Sequence, residues 1–172
     1  MATYRIVPER SSLTIVARSS IHPIEGETDG LTGSIEAEFA DGRLDLTTAP
    51  TLHLEVPVDR LKSGNPLYDG EMQRRIDARR YPTIVADARE VRALDEDGRY
   101  HVRGDLTFHG VTEAIEGELQ VSSPDERTLV VKGERGIDVR QFNVNPPKVL
   151  MLRVDPEITA RLHVVAERVD GA

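Results

Sequence analysis

The sequence predicts an all-β antiparallel barrel of about eight strands, and three observations carry that expectation. Apolar and polar residues alternate with period two in one short segment after another, as in a half-buried strand. Turn signals such as Asp41-Gly42, Asp95-Glu96-Asp97-Gly98 and His109-Gly110 separate these segments. With no Trp and no Cys among 172 residues, nothing supports the alternative of a disulfide-braced sandwich.

In chain order, Tyr4 and Ile6 open a short strand that Pro8 ends. Leu13, Ile15 and Ala17 alternate with Thr14, Val16 and Arg18 in a second, and the segment from Ser19 to Gly30, containing Pro23 and Gly26, reads as a loop. Leu31, Ile35, Ala37 and Phe39 alternate with polar neighbours up to the Asp41-Gly42 turn. Leu52, Leu54 and Val56 then alternate with Thr51, His53 and Glu55 until Pro57 stops the ladder. Between Asn65-Pro66 and Tyr81-Pro82 the rhythm changes, and Tyr68, Met72 and Ile76 recur every four residues. This spacing predicts a short amphipathic helix, with Asp69 placed to cap it and Pro82 forcing an extended exit. The β pattern resumes from Thr83 to Leu94.

The next two strands can be registered from sequence alone. Tyr100, Val102, Leu106 and Phe108 share one face before His109-Gly110, and Val111, Ile115, Leu119 and Val121 share one after it. A two-residue hairpin loop needs φ > 0 at both central positions, which Gly adopts freely and His tolerates. The register then sets Phe108 opposite Val111, Gly104 opposite Ile115 and Val102 opposite Gly117. It also brings Glu113 opposite Leu106, which places that carboxylate near a rim. Thr128 to Asp138 forms a further strand, Asn145-Pro146-Pro147 punctuates, Val149-Leu150-Met151-Leu152 is a brief apolar run, and Ile158, Ala160, Leu162, Val164 and Ala166 form a last one.

Composition narrows the function. Thirty acidic residues against 22 basic give a net charge of -8 without any basic run, which disfavours nucleic acid and anionic membrane as partners. No segment approaches the ~18 apolar residues of a membrane span, so the chain is not membrane-spanning by helix. The start, Met1-Ala2-Thr3-Tyr4-Arg5, lacks an export signal and points to a cytoplasmic protein. The length suits one domain over residues 1–172.

The segment Gly104-Asp105-Leu106-Thr107-Phe108-His109-Gly110-Val111-Thr112 resembles the signature hairpin of the YceI-like family. Three further stretches agree in order: Tyr4 to Ser12 before a strand, Tyr81-Pro82-Thr83-Ile84 after a short helix, and Asp138-Val139-Arg140-Gln141-Phe142 before an irregular stretch and a final strand. The resemblance implies a lipocalin-like antiparallel β-barrel of about eight strands, with a short helix near one mouth and a long-chain isoprenoid or other lipid inside.

The expected ligand-binding residues are the inward set Leu13, Ile15, Leu31, Ile35, Phe39, Leu52, Leu54, Val56, Leu106, Phe108, Leu119 and Leu162, with Met72 and Ile76 from the helix. On periodicity alone these could line a cavity or fill a core, and the helix pair could gate the mouth or merely cover it. His53, His101 and His163 share the outward parity, His109 sits in a turn and His22 in a loop, so no catalytic residue, cofactor or metal site is expected. Arg135 falls on the Val131 parity. If that parity points inward, Arg135 is a buried cation that either meets a ligand head group or, as favoured here, pairs with Glu113. The leading expectation is a lipid carrier without covalent chemistry. An enzyme using the same cavity through His22 or Arg135, and a packed barrel serving as an interaction module, are the alternatives. A short edge strand such as the first would allow a homodimer.

Overall fold

Period-two alternation resolves into strands β1 (Ala2–Ile6), β2 (Ser12–Ser19), β3 (Ile24–Asp29), β4 (Thr32–Ala40), β5 (Arg43–Asp45), β6 (Thr51–Pro57), β7 (Thr83–Ala93), β8 (Arg99–Phe108), β9 (Val111–Asp125), β10 (Thr128–Asp138), β11 (Lys148–Val149) and β12 (Leu152–Arg168), with one helix, α1 (Pro66–Arg75). The computed structural model describes residues 1–146, 148–149 and 152–169. Leu150 and Met151 of the apolar run lie outside the described residues.

All neighbouring pairs are antiparallel, and the sheet closes. β1, β4, β6, β7, β8, β9, β10 and β12 follow one another, and β12 returns to β1 through Tyr4↔Arg168 and Ile6↔Ala166. Seventeen residues long, β12 serves two partners: its C-terminal end pairs with β1, while Val154 to His163 pairs with β2, to which β3 is joined. The barrel therefore has two perimeters that share β6 to β10 and β12. One is completed by β1 and β4, the other by the β2–β3 hairpin.

Four sequence expectations change here. The first strand is no free edge, since β1 is paired on both sides. The loop expected from Ser19 to Gly30 contains β3, whose inward positions are Ile24, Gly26 and Thr28. Only one of the three is a large apolar residue, so the alternation is silent. Gly26 is small where Leu61 packs over it, and buried Thr28 donates its hydroxyl to the Pro57 carbonyl at 2.6 Å. β5 is a three-residue return after Asp41-Gly42, too short for periodicity to reveal. Asn65, not Asp69, caps α1: its side chain accepts from the amides of Leu67 and Tyr68, whereas Asp69 accepts from the amide and hydroxyl of Ser63 and ties the preceding turn to the helix.

The β8–β9 hairpin keeps its expected register throughout, including Phe108↔Val111, Gly104↔Ile115, Val102↔Gly117 and Leu106↔Glu113. His109 and Gly110 have φ of 55° and 75°, as the two-residue loop requires. Glu113 is exposed.

Two apolar clusters hold the barrel. The larger, around Tyr4, Ile35, Ala37, Tyr100, Val121, Leu129, Val131, Val164 and Ala166, packs the β1–β4 end. The smaller joins Val58, Ile76, Ala78, Phe142 and Val144 and rests on Phe108, Val111 and Ile137, so that the segment after α1 and the 3₁₀ turn Val139–Phe142 cover the tip of the β8–β9 hairpin.

Candidate functional site

Between these clusters the barrel is hollow. A cavity of about 340 Å³ runs inside the β2–β3 end, within the range of small-molecule sites. The space follows from side-chain size. Gly26, Ala86, Ala88, Gly104, Gly117, Gly133 and Ala160 all line it, and register sets them against large partners: Gly104 against Ile115, Gly117 against Val102, Gly133 against Leu119 and Leu162, Ala86 against Leu54 and Leu106. Strand curvature fixes some of them. At Gly104 a Cβ would run into the Asp87 carbonyl, next to the irregularity in β7 between Ala88 and Glu90.

Of the fourteen residues expected from sequence, Leu13, Ile15, Leu52, Leu54, Val56, Met72, Ile76, Leu106, Phe108, Leu119 and Leu162 line this cavity. Leu31, Ile35 and Phe39 do not. Leu31 is fully buried in the larger cluster, Ile35 borders a separate void of about 50 Å³ at the β1–β4 end, and Phe39 packs against the same cluster. Ile24, Leu61, Phe142 and Val144, which periodicity does not single out, also line the cavity, as do the small residues above and Tyr68 and Ile158, which fall on the periodic positions of the helix and the last strand but outside the expected set. Ile24, Leu61, Phe142 and Val144 carry little signal because they come from β3, which alternation misses, or from loops and turns, and the small residues because what they contribute is absence of bulk.

Carboxylates at the cavity wall are turned to the outer face, and most find cations there. Asp87 meets His53 at 2.6 Å, Asp105 meets Arg89 at 2.6 Å, Glu134 meets Arg161 at 3.3 Å, Glu118 meets Arg99 at 3.6 Å, and Glu116 lies between Arg103 at 3.6 Å and His101 at 3.7 Å. The hydrogen bond to Asp87 raises the pKa of His53 above its ordinary value, against a smaller opposing effect of burial. His109 donates Nδ1 to the Phe142 carbonyl at 3.0 Å and stacks edge-on against Tyr81, which ties the hairpin tip to the 3₁₀ turn. His22 is exposed, with its Nδ1 bonded to the Pro23 carbonyl.

Arg135 departs from expectation. It lines the cavity but is exposed, and it makes no pair with Glu113. Its Nε donates to the Glu116 carbonyl at 2.7 Å and a terminal nitrogen to the Gly136 carbonyl at 3.2 Å. Among the described residues no group of three or more His, Asp or Glu is arranged to hold a metal ion, and no helix is long and apolar enough to cross a membrane.

The family model of the YceI-like domain matches residues 4–166. Among solved structures, the chain is similar to BcnA from Burkholderia cenocepacia, with a TM-score of 0.76 and 20% identity over 93% of this chain and 98% of that one. A polyisoprenoid-binding domain from Saccharophagus degradans gives a TM-score of 0.76 at 15% identity, covering 98% of this chain and 100% of the other. A YceI protein from Campylobacter jejuni gives 0.70 at 14% identity, covering 88% of each chain. No curated protein matches in sequence.

Proposed function

Since the chain belongs to the YceI-like domain family, we propose that it binds a long apolar lipid, a polyisoprenoid or fatty chain, within the hollow end of its barrel and carries or sequesters it without covalent chemistry, residues 1–172 acting as a single domain. The observation that carries this reading is the cavity itself: about 340 Å³ walled by Leu13, Ile15, Leu54, Val56, Leu106 and Phe108 and their apolar neighbours, with the wall carboxylates turned outward. Each methylene transferred from water into such a space contributes about 0.8 kcal/mol, so chain length alone supplies affinity. The similarity to a polyisoprenoid-binding domain supports the same class of ligand. Met72 and Ile76, from α1 and the residue that ends it, would contact the chain near the mouth.

Native mass spectrometry with organic extraction of the purified protein tests the reading. A co-purifying lipid, or saturable uptake of an added isoprenoid alcohol, is the expected result; a protein that takes up neither refutes it. Leu54→Trp gives a second test, because Leu54 lines the cavity from mid-strand. The enlarged variant should keep its β circular dichroism, show indole emission typical of an apolar site, and lose lipid. In a filled core the same change would instead cost roughly 1–3 kcal/mol of strain.

A further inference from the structure

The cation at the cavity wall suggests what the lipid carries at its end. β9 and β10 pair only as far as Gly133↔Leu119. Beyond that point β9 continues along β8 to Val111 and β10 continues along β12 to Asp138, each laddered on one side only. The wall is thus unlaced over a short seam, bounded at its far end by the 3₁₀ turn Val139–Phe142. Arg135 stands in this seam. It follows Val131 and Gly133 on the inward parity of β10, its stem lies over Gly117, and its exposure together with its place in the lining sets it where cavity meets solvent.

Its electrostatic position is unlike that of the neighbouring charges. Glu116, Glu118 and Glu134 flank the seam, but each is engaged on the outer face by Arg103, Arg99 or Arg161. Among the described residues no carboxylate lies within ion-pair distance of Arg135. Of the five N–H groups of a guanidinium, two are used on the carbonyls of Glu116 and Gly136, and three have no partner among the described residues. A fixed guanidinium with free donors beside an apolar cavity suits an oxyanion, which it can hold by paired, charge-assisted hydrogen bonds.

Building on the lipid-carrier reading, we propose that the ligand is an anionic amphiphile whose phosphate or carboxylate head is held by Arg135 at the β9–β10 seam while its tail fills the cavity. Affinities of dodecyl phosphate, dodecanoate and dodecanol, measured below their micellar concentrations by displacement of an apolar fluorophore, test this. The wild-type protein should prefer at least one anion over the alcohol by about 10- to 100-fold, the range of a hydrogen bond to a charged group, and should lose part of that preference in high salt. Whichever anion shows it identifies the head as phosphate or carboxylate. Arg135→Gln should abolish the preference, bringing the anions to the affinity that dodecanol has for the same variant, and Arg135→Lys, which keeps the charge, should retain part of it. Equal affinity of the wild type for all three, or a preference that survives Arg135→Gln, overturns the assignment and leaves the carrier reading standing. If none of the three binds, the carrier reading fails and this inference with it.

Discussion

The two ends of the barrel are built by the same six strands and differ in what completes them. At the β1–β4 end the inward positions hold Tyr4, Ile35, Tyr100, Leu129, Val131 and Val164, all buried, around a void of only about 50 Å³. At the β2–β3 end the corresponding positions alternate large residues with Gly26, Gly104, Gly117 and Gly133, and about 340 Å³ stays open. Backbone pairing differs in the same sense. The ladder around the packed end joins every strand to both neighbours, with an irregularity in β10 between Thr128 and Val130, whereas at the hollow end β9 and β10 part after Gly133 and β3, on the side away from β2, is held by the bridge Glu27↔Lys62 and the Thr28–Pro57 hydrogen bond. Packing and pairing are thus concentrated at one end, and the other is left open.

The difference should be widest for paired truncations. Leu129→Ala, at a fully buried position of the packed end, should cost about 2–5 kcal/mol because it opens a cavity that neighbours cannot close. Leu106→Ala, at a half-buried position of the hollow end, should cost about 1 kcal/mol, since its side chain already borders empty space. Denaturant titration of both reads the contrast, and equal costs would show that the two ends are packed alike.

Gly110→Val comes next. The residue has φ of 75° and its added Cβ would meet the Tyr81 ring at 3.0 Å, so strain of about 1–3 kcal/mol is expected at the hairpin tip beneath the smaller cluster. A thermal midpoint equal to wild type would show that this tip does not contribute to holding the covered end.

How much of this contrast sequence reveals depends on what alternation encodes. Period two reports which face a residue occupies, and the β8–β9 hairpin could be registered to the residue because His109-Gly110 fixes its turn. Alternation does not report height along the barrel axis. In the sequence Leu31, Ile35 and Phe39 are therefore indistinguishable from Leu13 and Leu106, although the pairing of β4 with β1 sets Ile35 at the packed end. Nor does it register small residues as wall-forming, so β3, with Gly26 and Thr28 inward, reads as loop. The parity of Arg135 is legible in the sequence, but its partner is not: the β9–β10 register, which alternation does not give, carries Arg135 to Gly117, well short of Glu113 along β9.

Filling the hollow end separates binding from stability. At Gly117 a Cβ would meet only the Arg135 stem, at 3.4 Å, so Gly117→Leu adds bulk to open space. Stability should change by about 1 kcal/mol or less, while lipid recovered by extraction should fall sharply. A large loss of stability would mean that the site is closed core.

The smallest effect is expected outside the barrel, where His53 and Asp87 join β6 and β7 on the face that neither end uses. Because the hydrogen bond to Asp87 raises the folded-state pKa of His53, protonated His53 favours the folded state. That contribution is fully present below the unfolded pKa of about 6.5 and is lost as pH rises through the higher folded value. With side chains about half exposed, at 45% and 50%, the pair should contribute about 1 kcal/mol or less. The thermal midpoint of wild type should exceed that of His53→Gln slightly below the unfolded pKa, and the two should converge as pH rises past the higher folded value. Replacing His53, His101 and His163 together by Gln should leave lipid content unchanged at either pH. If the triple variant lost lipid, the outer face would be coupled to the cavity, and the separation of a guest-holding interior from a merely solvated exterior would fail.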